Sequence, residues 1–214
     1  MNNFKRNCYD INVSRKKQKN QITNIIIGLD ISSSMEHKIK PLITTLNNNF
    51  LLNFSDENFY IYIHTFSKDY NTLIVEGIPS EINIPKIIIG GATPLYDTIV
   101  DLMNKYKISN NIMCDNDSDI ILIIISDGED NSSKHTYIDA NKAIGKTKVF
   151  YIGYLGEDSL EYISNEIGAA YGEINTSEQL PMLMNNLSST INKISQGDNT
   201  AILDFVYEFG NMSI

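Results

Sequence analysis

Asp30, Ser32 and Ser34 follow directly on the apolar run Ile25-Ile26-Ile27-Gly28-Leu29. One carboxylate and two hydroxyls at alternate positions offer only oxygen donors. Hard cations such as Mg²⁺ take such donors, using few carboxylates and keeping some water. Two further oxygen-bearing residues have comparable settings: Thr93 follows Gly90-Gly91-Ala92, and Asp127 follows the apolar run Ile120 to Ile125 and Ser126. Each feature alone is ordinary, since Asp after a strand forms turns, Ser at a helix start caps it, and Gly-Gly marks a tight turn.

The elements around these residues decide whether they can meet. Apolar runs alternate with amphipathic stretches, the pattern of βαβ units and a mainly parallel sheet. The runs predict strands at about 24–30, 60–66, 120–126 and 148–154, with a short one near 171–174. The run Thr72 to Val75 lies too close to the second strand for a helical crossover, so it is expected to pair antiparallel at an edge. Helices are expected near 34–54, 94–107, 136–146, 158–167 and 178–195, and the polar stretch Ser109 to Asp119 as a loop. The segment Ala201 to Phe209 is apolar enough to be expected as an added strand. In this architecture Asp30, Thr93 and Asp127 all reach the carboxyl edge of the sheet, where open α/β folds bind ligands.

The bulk properties fit one such domain. The chain has 214 residues, 42% hydrophobic, enough to build a sizeable core. Its formal net charge of -9 argues against a nucleic-acid partner, which would need clustered Lys and Arg. The two cysteines, Cys8 and Cys114, lack metal-ligand spacing and read as free thiols. Residues 1-20 read as a polar basic arm with Lys5, Arg6, Arg15, Lys16, Lys17 and Lys19 and no apolar core of a secretory signal. With no apolar run near the roughly 20 residues a membrane span needs, a cytoplasmic protein is expected. Residues 21-196 form the domain and 197-214 a C-terminal extension.

The motif Asp30-Ile31-Ser32-Ser33-Ser34, with Thr93 in Gly90-Gly91-Ala92-Thr93-Pro94 and Asp127 in Ser126-Asp127-Gly128-Glu129, resembles the von Willebrand factor A domain with its metal-ion-dependent adhesion site. The resemblance covers roughly residues 21 to 196 and extends to the compact stand-alone members of bacteria, phages and large viruses. Ser33 departs from it, because many members have glycine there. The resemblance implies a doubly wound α/β fold with a mainly parallel central sheet, one antiparallel edge strand and helices on both faces. It implies Mg²⁺ or Mn²⁺ bound directly by Ser32 and Ser34, directly or through water by Thr93, and mostly through water by Asp30 and Asp127. An open coordination position would then take a Glu or Asp of a partner protein. If Thr93 changes between direct and water-mediated binding, the Gly90-Gly91 loop must move with it.

Enzyme readings fare worse. An aspartate-based phosphatase needs a second acid two positions after its nucleophile, and that position holds Ser32. No Gly-Xaa-Ser-Xaa-Gly elbow occurs. Ala140 to Thr147 fits a relaxed phosphate-loop pattern, but it runs from helix into strand, the reverse of what phosphate binding requires. Gly145 there reads as a helix cap. His37, His64 and His135 have no metal-ligand spacing, and Asp97 reads as a first-turn carboxylate stabilising its helix. A non-catalytic binding module is therefore expected. The alternatives are a regulatory subunit acting beside an ATPase, kinase or phosphatase, and a metal-dependent hydrolase.

Overall fold

The computed structural model describes residues 22–68, 70–108, 120–156 and 160–209. The basic arm, both cysteines and the 109–119 loop lie outside these residues. Among the described residues, six strands form one sheet: β1 (Thr23–Asp30), β2 (Phe59–Ser67), β3 (Tyr70–Gly77), β4 (Ile120–Ser126), β5 (Lys148–Tyr154) and β6 (Ala170–Ile174). Their order is β3-β2-β1-β4-β5-β6. All neighbours pair parallel except β2 and β3, which pair antiparallel as the short connection requires. Both central strands, β1 and β4, are buried along their whole length, which explains their nearly unbroken Ile-rich runs.

Alternate residues feed two separate cores. On one face Ile25, Ile27, Leu29, Ile121, Ile123 and Ile125 pack under α1 (Ile39–Thr45), α5 (Leu180–Ser195) and α6 (Ala201–Phe209). On the other, Ile26, Leu122 and Ile124 pack under α2 (Leu95–Ile108), α3 (Tyr137–Ile144) and α4 (Glu161–Ile167). Helices thus cover both faces. The chain winds from β1 outward to β2 and β3, then returns across β1 to β4. That reversal sets the carboxyl ends of β1 and β4 side by side, the crevice where doubly wound sheets place ligands.

Two expectations need correction. Ala201 to Phe209 is a helix, not an added strand: Ala201, Phe205 and Phe209 recur every four residues and are buried on one side. Phe205 meets Phe150 edge to face at 5.3 Å and lies over Gly172, where a Cβ would come within 2.9 Å of its ring. The first helix does not run unbroken from Ser34 to Phe54. A 3₁₀ turn at Ser33–Met35 comes first and α1 begins only at Ile39. Pro41 lacks an N–H and is tolerated only in a first turn, so the helix starts just before it. Beyond α1 the chain widens into a π turn at Leu46–Phe50, through three successive asparagines of poor helix propensity, and then tightens at Leu51–Asn53. Among the described residues, no helix is long and apolar enough to cross a membrane.

Candidate metal centre

The parallel register of β1 and β4 brings Leu29 beside Ile125, so one step further Asp30 stands beside Ser126. Asp30 is fully buried. Its Oδ1 accepts the Ser32 N–H at 2.7 Å and its Oδ2 accepts the Ser126 hydroxyl at 2.6 Å. Burial raises the Asp30 carboxyl above the usual carboxylate range, against the downward pull of those donors. The carboxylate is thereby fixed, and its charge has little solvent to spread into.

From Asp30 the chain turns outward. Ser32 is buried and Ser34 exposed, and their Oγ atoms lie 3.1 Å apart. Ser34 donates in turn to Asp127 Oδ1 at 2.8 Å. The expected ligands Ser32, Ser34 and Asp127 thus form a chain of three oxygens at one point. Two ligands on adjacent corners of an octahedron with bonds of 2.0–2.1 Å lie about 2.9 Å apart, so separations of this size suit a small hard cation. The donor set is oxygen throughout, which also fits Mg²⁺ or Mn²⁺. No group of three or more His, Cys, Asp or Glu among the described residues forms an alternative metal cluster.

Thr93 reaches the same edge through two connections. Its N–H donates to Asn131 Oδ1 at 2.8 Å, and the Asn131 N–H returns to the Thr93 carbonyl at 3.0 Å. The preceding loop is tied to the first motif, since Gly90 N–H donates to the Ile31 carbonyl at 2.9 Å and Ser33 N–H to the Gly91 carbonyl at 3.2 Å. Gly91 has φ of 96°, and a Cβ there would meet the Ser67 side chain at 3.3 Å, so this position requires glycine. Ser33, by contrast, lies in a right-handed 3₁₀ turn that needs no glycine.

Three contributors escaped the sequence reading: Ser126, Asn131 and Lys38. Lys38 Nζ lies 2.5 Å from Asp127 Oδ2 and 2.8 Å from the Leu155 carbonyl. A polar residue closing an apolar strand, and a lysine one helical turn after Ser34, were the signals available. Asp97 does more than stabilise its own helix, because it accepts the N–H groups of Lys134 and His135 at 2.9 and 2.8 Å and pairs with His135 Nδ1. It pins the segment that follows Asp127. Asp130 turns away to Ser133 and the Tyr96 N–H. His64 is buried against the Tyr106 hydroxyl at 2.6 Å. Gly145 ends α3 at φ 55° with its N–H on the Asn141 carbonyl, as a cap.

No protein-family model matches the sequence, and no curated protein matches it. Solved structures do. VWA2, the ArnB paralog of Sulfolobus acidocaldarius, superimposes with a TM-score of 0.57 at 20% identity, over 78% of this chain and 45% of that one. Proximal thread matrix protein 1 of the mussel byssus, solved with a zinc-occupied MIDAS motif, gives 0.63 at 17% identity, over 81% and 48%. The manganese-loaded TRAP protein of Plasmodium vivax gives 0.54 at 17% identity, over 77% and 72%. The chain spans about half the length of the first two. At these identities the likeness shows the fold.

Proposed function

Because the chain has the fold of von Willebrand factor A domains, we propose that it is a divalent-metal-dependent protein-binding module. The observation that carries the proposal is the convergence of Ser32, Ser34 and Asp127 oxygens at 2.8–3.1 Å beside the buried Asp30, at the switch point of the sheet. Ser32 and Ser34 would hold Mg²⁺ or Mn²⁺ through their hydroxyls. Thr93 would contribute directly or through water, and Asp30 and Asp127 through water. When bound, such an ion supplies an electrophilic position that a carboxylate can complete, and it reverses the field that an acidic protein would otherwise present to an acidic partner.

The chain's own residues prepare that position. Ser126 and the Ser32 N–H orient Asp30, and Asn131 fixes the backbone at Thr93. We favour a binding role over hydrolysis because the side chains that meet at this cluster, Ser32, Ser34, Asp127 and Lys38, include no histidine, His64 pairing with Tyr106 and His135 with Asp97. The partner is a protein presenting Glu or Asp. Similarity to one structure solved with a zinc-occupied MIDAS motif and to another solved manganese-loaded supports a divalent ion as the mediator. The test is affinity capture from native extract with wild type and Asp30→Ala, each in Mg²⁺ and in EDTA. A partner retained only by wild type in Mg²⁺ supports the reading, and equal capture in all four arms contradicts it.

A further inference from the structure

Lys38 places a positive charge inside the proposed metal centre. Its Nζ is 2.5 Å from Asp127 Oδ2, the Asp127 side chain is fully buried, and that of Lys38 is only 22% exposed. Ser34 takes the other oxygen of the same carboxylate. Both Asp127 oxygens are therefore engaged by the chain's own donors. A divalent cation approaching this carboxylate, directly or through water, meets an ammonium within a few ångströms in a poorly solvated pocket, where like charges repel strongly.

The same ammonium reaches the turn after β5, where it donates to the Leu155 carbonyl at 2.8 Å. Leu155 has φ of 54°, and among the described residues it alone departs from the rule that only glycine takes positive φ. This conformation is unfavourable for a leucine and persists only where neighbours enforce it. The Leu155 N–H is held by the Ile174 carbonyl at 2.7 Å, on β6, and its carbonyl by Lys38. One side chain thus holds both a candidate metal-site carboxylate and a strained backbone turn.

We propose that Lys38 is the resident counter-cation of this centre: it competes with the divalent ion for Asp127, and its displacement frees the Leu155 carbonyl, coupling metal occupancy to the turn after β5. The inference rests on the metal-site reading above. It is tested by titrating Mn²⁺ calorimetrically into wild type, Lys38→Met and Lys38→Arg, with hydrogen exchange followed at the Leu155 amide. Lys38→Met should bind Mn²⁺ at least tenfold more tightly than wild type, while Lys38→Arg, which keeps the charge, stays within about threefold. In wild type, Mn²⁺ should speed exchange at Leu155 while the β1 and β4 amides stay as slow or become slower. Metal-free Lys38→Met should already show the faster Leu155 exchange.

Equal or weaker Mn²⁺ binding by Lys38→Met overturns the competition while leaving the metal site standing. Unchanged Leu155 exchange in metal-loaded wild type overturns the coupling, and this arm decides the matter if Lys38→Met does not fold. Binding by neither wild type nor Lys38→Met overturns the metal-site reading and this inference together.

Discussion

The Ser126 hydroxyl donates to Asp30 Oδ2 at 2.6 Å, joining the ends of the two central strands at the candidate metal centre. Ser126 also lies 3.1 Å from the Gly128 carbonyl, which gives its hydroxyl a second acceptor. Asp30 therefore keeps one fixed geometry in a buried setting that raises its carboxyl above the usual range. A carboxyl whose folded pKa is raised loses stability as pH climbs from its unfolded value through the folded one, above which the native state holds a desolvated charge.

Asp30→Asn should therefore stabilise the metal-free protein while abolishing its response to metal. The asparagine Oδ1 can still accept the Ser32 N–H, and its Nδ2 can donate to Ser126 while that hydroxyl turns to Gly128. A rise in the metal-free melting temperature at pH 7.5 is expected, each 1 kcal/mol being worth roughly 2–4 °C in a domain of this size. The shift produced by Mg²⁺ in wild type should be lost. Thermal denaturation with Mg²⁺ and with EDTA checks both outcomes.

His64 should give the fold an acid-sensitive step. Burial, reinforced by the charge of Lys105, lowers its imidazole from 6.5 to about 4. Between these values the unfolded chain binds the proton and the native state does not, so stability falls as pH drops from 6.5 toward 4. The contribution is on the order of 3 kcal/mol, at about 1.36 kcal/mol for each pK unit. Urea denaturation of wild type and His64→Gln at pH 7.5 and pH 4.5 should show a smaller loss in the variant. An identical loss would remove His64 as the cause.

Helix α6 should be integral to the domain. Phe205 is 1% exposed and packs on Phe150 and Gly172, so Phe205→Ala should cost about 3–5 kcal/mol, as large-to-small changes at buried aromatics do. A shifted urea midpoint with unchanged slope would show this. A shift below about 1 kcal/mol would mean that the helix contributes little.

Much of this arrangement was legible in the sequence, for identifiable reasons. Ile120 to Ser126 and Lys148 to Tyr154 declared themselves as strands because residues buried on both faces leave an almost unbroken apolar run. Asp30 and Asp127 could be set at one edge because each follows such a strand. Ala201 to Phe209 misled because a short apolar segment suits either a buried strand or a helix, and its spacing of four was the deciding signal. Lys38, Ser126 and Asn131 were missed because the site residues they hold, Asp127, Asp30 and Thr93, lie 38 or more positions away in sequence, and only the closed sheet brings them together. The turn at Leu155 left no mark, since no residue type there announces positive φ.

The central claim is the metal centre itself, and the most direct measurement is a calorimetric titration of Mg²⁺ and of Mn²⁺ into wild type and Asp127→Ala. The account predicts one saturable site per chain in wild type for at least one of the two ions, and its loss in Asp127→Ala with the fold retained. Equal binding by both proteins, or no binding of either ion by wild type and by Lys38→Met alike, would contradict it.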